Sequence, residues 1–212
     1  MKSKLYKITF KGLTSMIMHS SKTADPTNPF TKALKQISSK RSKTDEDHEA
    51  MSKIEYESSM YRDEAVFKKG AGLYMPTENI VACLINAGKK IKHGRGSMKA
   101  AVTGILFDDP YGYHVETPWK SYDEMKEDRS SWFKKIVNVQ GSKIVRTRVL
   151  LPNWKFVATC ELEEEICDKV MLEDLLRIAG RLIGLGDWRP SSGTPGPYGK
   201  FVADLEEINE CD

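Results

Sequence analysis

Cysteine and histidine are sparse, at four residues each in 212. Cys83, Cys160, Cys167 and Cys211 form no Cys-x-x-Cys pair and have no histidine at a zinc-ligand spacing, so neither a zinc module nor a disulfide framework is indicated. They read as reduced intracellular thiols. His19, His48, His93 and His114 are scattered, with no Ser-His-Asp or Cys-His order, which removes the common hydrolase arrangements. No apolar run approaches the ~18 residues of a membrane span, and the opening Met-Lys-Ser-Lys-Leu-Tyr-Lys alternates like a strand rather than a signal peptide. A soluble, cytoplasmic protein is expected. An excess of charge is also lacking: 33 basic residues face 30 acidic ones, a formal net +3. Affinity for nucleic acid would therefore have to come from local clustering. Nothing in these residues asks for a bound metal or a cofactor.

What the chain does have is a glycine-rich stretch, Gly180-Arg-Leu-Ile-Gly-Leu-Gly-Asp-Trp-Arg-Pro-Ser-Ser-Gly-Thr-Pro-Gly-Pro-Tyr-Gly-Lys-Phe201. Gly184, Gly186, Gly193, Gly196 and Gly199 permit positive φ and close approach to the main chain, while Trp188, Arg189, Tyr198 and Lys200 add rings and charge. A dinucleotide fingerprint places its glycines after a strand and before a helix. Here the helical run Leu172, Leu175, Leu176, Ala179, Leu182, Ile183 comes first and the alternating Phe201, Ala203, Leu205 follows. Gly184 alone would suit a helix C-cap. Five glycines with three prolines and two aromatics exceed a cap, and a clamp on a single nucleic-acid strand is the better fit.

Basic residues fall in three clusters: Lys32, Lys35, Lys40, Arg41 and Lys43; Lys89, Lys90, Lys92, Arg95 and Lys99; and Lys134, Lys135, Lys143, Arg146 and Arg148. Residues 5–13 alternate, with Tyr6, Ile8 and Phe10 on one face of an opening strand. Phe30, Ala33, Leu34 and Ile37 then follow helical spacing, and Thr44 to Asp47 has the form of a capping box before a second helix carrying Met51 and Ile54 and extending toward Tyr61. Together these read as a helical hairpin inserted at about 28–62. A short strand at Leu73-Tyr-Met75 leads to Thr77, the expected N-cap of a helix with Ile80, Val81, Leu84 and Ile85. Strand-like runs follow at 100–107, 111–117 and 135–140, and Gly141-Ser142 turns the last into 143–151. There Val145, Thr147, Val149 and Leu151 share one face, with Arg146 and Arg148 on the other. Strand 155–162, helix 170–183 and strand 198–206 complete one domain over 1–212, with insertions at about 28–62 and 119–143. The expected class is α+β: a ferredoxin-like (RRM-like) antiparallel sheet with helices on one face, an inserted helical hairpin and a β-hairpin.

Three segments carry a family resemblance: Leu73-Tyr-Met-Pro-Thr-Glu-Asn-Ile-Val-Ala-Cys-Leu-Ile-Asn-Ala-Gly88, the Gly184-Leu-Gly-Asp-Trp-Arg-Pro-Ser-Ser-Gly…Tyr-Gly-Lys-Phe201 loop, and Met18-His-Ser-Ser-Lys-Thr-Ala-Asp25. In these the sequence resembles the RAMP superfamily, specifically the backbone subunits that line the guide RNA in CRISPR effector complexes. Glu78-Asn79-Ile-Val-Ala departs from that family's usual Ser-Leu-Lys-Gly helix start, and the 28–62 hairpin is foreign to it. The ending is also similar to that of small phage and prophage proteins.

The resemblance implies a protein that binds single-stranded RNA or DNA and oligomerises along it as a helical filament. Lys89, Lys90, Lys92, Arg95, Lys99, Arg146, Arg148, Arg189 and Lys200 are the candidate phosphate contacts, with Trp188 as a stacking ring. Arg146 and Arg148 equally suit cross-strand pairing with Glu161 or Glu163, and Trp188 equally suits a ring covering the helix end. Some backbone subunits of the family cleave RNA with a metal-assisted aspartate in the first long loop. Asp25 stands at that position, with His19 nearby as an acid-base partner for metal-free cleavage, although Asp25-Pro26 is also an ordinary turn. A third class is a protein-interaction module or inhibitor of a nucleic-acid-processing complex, which would use the charged 28–62 hairpin; the same amphipathic spacing suits packing on the protein's own sheet.

Overall fold

The computed structural model describes residues 3–139 and 141–208, so Cys211 lies outside the described residues. The chain opens with β1 (Ser3–Gly12) and the short β2 (Met16–Ile17). Next come α1 (Pro29–Ser38), with Asn28 accepting from the Phe30 amide at 3.0 Å, and α2 (Asp45–Ser58). The expected capping box is formed: Thr44 Oγ1 accepts from Asp47 N at 3.3 Å, and Asp47 Oδ2 accepts from Thr44 N at 3.2 Å. Then follow β3 (Tyr74–Pro76), α3 (Thr77–Gly88), a small hairpin of β4 (Lys92–His93) and β5 (Gly96–Ser97), β6 (Ile105–Phe107) and β7 (Gly112–His114). The chain continues through α4 (Tyr122–Glu127), β8 (Trp132–Val139), β9 (Ser142–Leu151), β10 (Lys155–Glu163), α5 (Lys169–Ile178) and β11 (Phe201–Ile208).

The principal sheet has four strands in the order β11-β1-β10-β6, every neighbouring pair antiparallel. Along the chain its members run strand, helix, strand, strand, helix, strand, with α3 and α5 as the helices. The alternation of β1 sets the register. Tyr6, Ile8 and Phe10 turn inward opposite Cys160, Ala158 and Phe156, and Phe10 stacks on Phe156 with ring centroids 4.4 Å apart. Ile80, Cys83, Leu84 and Ala87 of α3 and Leu172, Leu175 and Leu176 of α5 close this core. Each large side chain so buried stabilises the fold by about 1.5–3 kcal/mol.

A second sheet, β2-β9-β8, carries the inserted hairpin, and α2 lies along its open edge. Side chains of α2 serve the backbone there as a missing strand would. Glu55 accepts from the Thr147 amide at 2.8 Å and Ser59 Oγ from the Val149 amide at 3.0 Å. Tyr56 stacks on Trp132 at 4.0 Å. No described helix is long and apolar enough to cross a membrane.

Three sequence expectations are corrected. The stretch read as strand from 100 begins as a 3-10 helix, Met98–Gly104, because Met98, Ala101 and Val102 bury one helical face. Thr77 is the first residue of α3 rather than its cap. Its hydroxyl donates to Asp109 O at 2.5 Å, and Pro76 holds the cap position without a side-chain bond. The helix expected over 170–183 widens after Ile178 into a π-helical turn, Ala179–Ile183, closed by Gly184 N donating to Ala179 O at 2.8 Å.

Candidate nucleic-acid interface

The glycine loop is tied down by its own backbone and by β2. Asp187 N donates to Ile17 O at 2.7 Å, Gly199 N to Ser15 O at 2.8 Å, and Leu185 N to Gly199 O at 2.9 Å. Two glycines show what this closeness requires. Gly186 and Gly199 have φ of 81° and 69°, and a Cβ on them would overlap the carbonyl oxygens of Ile17 and Leu185. Gly184 and Gly196 are likewise hemmed in by Pro190 and by the Trp188 backbone. Only Gly193 of the five faces open space. Most of the close approach expected of a ligand strand is thus taken up by the protein's own main chain.

Trp188, at φ 45°, is the one described non-glycine residue with positive φ. Its ring meets Phe133 of β8 at 5.2 Å and lies under Lys135 Nζ at 4.7 Å, and Tyr198 meets Phe133 edge-on at 5.3 Å. Trp188, half-buried, therefore docks the loop onto the β8–β9 hairpin. Arg189 folds back, with Nη1 donating to Gly186 O at 2.8 Å and Nε to Ser191 Oγ at 3.2 Å. The Lys200 backbone pairs with Leu13 and Thr14.

Between this loop and α3 runs a cleft of about 200 Å³. Asn79, Ala82, Cys83 and Asn86, one face of α3 at helical spacing, form one wall; Gly184 to Asp187 and Arg189 form the other. His19 and Tyr61 close one end. His19 is not partnered with Asp25, as the sequence suggested. Its Nδ1 faces Asp187 Oδ2 at 3.4 Å and its Nε2 faces Arg148 Nη2 at 3.2 Å. A guanidinium only donates, so Nε2 accepts and Nδ1–H donates to Asp187. That hydrogen bond from His19 is the main reason the Asp187 carboxyl lies below the usual carboxylate range. Burial lowers the Arg148 guanidinium from its ordinary value. Cys83, whose thiol donates to Gly184 O at 3.4 Å, is pushed up to about 12 by burial and is inert.

At the other end of α3 stands the basic hairpin. Lys92 pairs with Ser97 and His93 with Gly96, leaving Gly94 (φ 55°) and Arg95 at the tip. Lys89, Lys90, Lys92, Arg95 and Lys99 are all exposed. None of the five has an ion-pair partner among the described residues. Lys89 reaches back to Asn86 Oδ1 at 3.1 Å and so joins the hairpin to the cleft wall. A helix of 12 residues spans about 18 Å, which sets the length of this composite groove.

Other expected site residues lie elsewhere. Arg146 is occupied, with Nη1 donating to the buried Glu55 at 2.5 Å rather than to Glu161 or Glu163. Asp25 is exposed and shapes a turn, Oδ1 accepting from Thr27 N at 2.8 Å and Thr27 Oγ1 at 2.7 Å. Among the described residues no cluster of three or more His, Cys, Asp or Glu is placed to hold a metal ion. The outward face of the principal sheet carries ion pairs, Lys7–Glu206 at 3.0 Å and Lys11–Asp204 at 2.7 Å, and no ring on which a base could stack.

No family model matches the chain, and no curated protein matches it. Among solved structures it is similar to a chain in the cryo-EM structure of the Type III-B Cmr-beta bound to cognate target RNA. The likeness covers 98% of this chain and 61% of that one, with 14% sequence identity and a TM-score of 0.47. This chain therefore spans less than two thirds of the chain it matches, and a score so low assigns neither family nor function.

Proposed function

We propose that this protein binds single-stranded nucleic acid along the groove that runs from the β4–β5 hairpin over α3 to the glycine loop. The observation that carries the reading is the set of five exposed cations, without an ion-pair partner among the described residues, at one end of a cleft lined by amides, a guanidinium and an imidazole. Cations without acidic neighbours are free to meet phosphates. The main-sheet order β11-β1-β10-β6 with intervening α3 and α5 is the 4-1-3-2 order of a ferredoxin-like fold, and it supports the RAMP-type reading of the sequence. Affinity from so few contacts becomes useful when subunits bind side by side, so the protein assembles along the strand.

Fluorescence anisotropy with labelled oligouridine and oligothymidine tests this, at several salt concentrations and with electron microscopy of longer strands. Removing Lys92, Arg95 and Lys99 together should lower the slope of log affinity against log salt by about 2, since each phosphate contact to a single strand contributes about 0.7. Equal affinity for the folded triple variant would overturn the proposal.

A second reading has its own observation. Ile136 and Val145 on the β8–β9 hairpin are 65% and 53% exposed. Val145, paired with Ile136, lines a cavity of about 780 Å³ together with Met51, Lys43 and Lys143. A protein partner docking there is tested by hairpin substitutions that leave strand binding intact.

A further inference from the structure

A second cleft, of about 330 Å³, opens at the N-terminal end of α3 and is framed by Lys22, Tyr61, Tyr74, Pro76, Pro110 and Tyr111. Its walls are aromatic in a particular way. Tyr74 stacks on Tyr111 at 4.8 Å and 20°, and on Phe67 at 5.0 Å and 15°, while Phe67 in turn lies nearly parallel to His114 at 6.4 Å. Tyr61 meets Tyr74 edge-on at 6.0 Å. A satellite hydrophobic cluster beneath the 61–73 loop would account for Phe67 and the inner side of Tyr74. Tyr111 joins that cluster, lying parallel to Phe67 at 6.0 Å and 9° with its hydroxyl donating to Asp63 Oδ2 at 2.9 Å, but the cluster leaves it 45% exposed at the cleft. Solvent-facing rings in register are a platform that another flat ring extends.

Charge and continuity select the ring. Lys22 sits half-buried at the mouth with no ion-pair partner among the described residues. Burial and then the nearby Arg62 lower its pKa while Asp63 raises it, and Glu78 is the acidic residue of the cleft lining, so Lys22 is the cation available there to an adjoining phosphate. Tyr61 lines this cleft and the α3 groove alike, and its hydroxyl donates to His19 O at 3.2 Å. The two clefts therefore adjoin at Tyr61.

We propose that the Tyr61–Tyr74–Tyr111 cleft is a nucleobase pocket, which takes one unstacked base of the strand against Tyr111 and Tyr74 while Lys22 meets an adjoining phosphate. This rests on the single-strand reading above. It adds a stacking site at the end of α3 opposite the basic hairpin, which gives the strand a direction and an anchor that phosphate contacts alone lack.

The test compares oligouridine with an abasic ribose-phosphate strand of equal length, and the deoxy pair in parallel, for the wild type, Tyr111→Ala, Tyr111→Phe and Lys22→Ala. Stacking on one aromatic is lost with about a tenfold weakening. Tyr111→Ala should therefore weaken base-bearing strands about tenfold and leave the abasic strand unchanged, Tyr111→Phe should retain affinity, and Lys22→Ala should weaken both strands. If the wild type binds but Tyr111→Ala weakens base-bearing and abasic strands equally, or neither, the pocket assignment fails and the groove assignment stands. If the wild type binds no strand, both fail. Thermal melts confirm that the exposed Tyr111 is replaced without loss of fold.

Discussion

Replacing Arg146 with alanine should damage the fold before it damages binding. The side chain of Glu55 is 6% exposed, that of Arg146 37%, and their contact is 2.5 Å. Breaking a fully buried pair from one side costs about 3–5 kcal/mol, but the guanidinium here is more than a third exposed, and solvent screening brings the figure to about 1.5–3 kcal/mol. Glu55→Gln keeps an oxygen for the Thr147 amide, now at 2.8 Å, yet turns an amide toward the guanidinium. It should cost about 1–2 kcal/mol. In the double variant no buried carboxylate is left without its cation, so the two losses should fall short of additive by about 1–2 kcal/mol. Urea unfolding followed by tryptophan fluorescence reads this directly, because Trp132 stacks on Tyr56 of the same helix. Additive losses would refute the reasoning. So would an Arg146→Ala protein of full stability that has lost affinity for a single strand, since Arg146 would then be a contact rather than a strut.

Gly199→Ala forces a side chain onto φ 69° and into the Leu185 carbonyl, so thermal melts should show a loss of more than about 3 kcal/mol; Gly193→Ala, with no atom within 4 Å of the new Cβ, should stay within about 0.5 kcal/mol. Burial pushes Cys83, Cys160 and Cys167 each to about 12, so a thiol reagent at mildly alkaline pH should leave them unlabelled in the native protein and label them in urea. Prompt native labelling of Cys83, read by mass spectrometry, would show instead that the glycine loop lifts from α3. The folded-state pKa of Asp187 is depressed, chiefly by the hydrogen bond from His19. Its contribution to stability is therefore fully present above the usual carboxylate value of about 4 and is lost as pH falls through the lower folded value. Asp187→Asn should flatten the fall of unfolding free energy below about pH 4, and parallel acid limbs for the two proteins would count against the His19–Asp187 contact.

Much of the architecture was legible because its signals are local. Period-two alternation in β1 names its buried face, Thr44 and Asp47 sit at the separation a capping box requires, and the apolar spacing of α3 and α5 marks the faces that close the core. The segment from 98 shows how a local signal is misread. Its β-branched and apolar residues suggest a strand, but Met98, Ala101 and Val102 recur at i, i+3 and i+4, and the helical spacing is the one the core obeys up to Gly104. Arg146 and Arg148 were placed correctly on the face opposite Val149 and Leu151. Their neighbours were not, since alternation tells which way a side chain points and not which element it meets. The edge of β9 is covered by a helix, so Glu55 took the place expected of a strand carboxylate. His19, Arg148 and Asp187 come from three distant segments, and no spacing along the chain announces their meeting. The tyrosine cleft is illegible for the same reason: its rings lie at 61, 74 and 111, far apart in the chain and outside the glycine stretch and the basic clusters.

The glycine loop carries the deeper lesson. A run of glycines reports that something approaches the backbone too closely for a Cβ; it does not report what approaches. Here the closest neighbours of Gly186, Gly196 and Gly199 are the backbone oxygens of Ile17, Trp188 and Leu185, so the glycines let the loop fold tightly on itself and on β2. That rigidity has a use. It fixes Gly184 to Asp187 and Arg189 as one wall of the α3 cleft at little further entropic cost, because the loop is ordered before any strand arrives. Under the proposed function, binding would depend less on glycine backbone exposed to a ligand than on what the folded loop holds in place: Asp187 against His19, Arg189 beside α3, and Trp188 against the β8–β9 hairpin. It follows that Gly199→Ala and removal of the hairpin cations should weaken strand binding in different ways. The first, read at temperatures where the variant stays folded, should lower affinity with little change in salt slope; the second should lower the slope itself. Identical salt slopes for the two variants would mean that loop and hairpin do not share one groove.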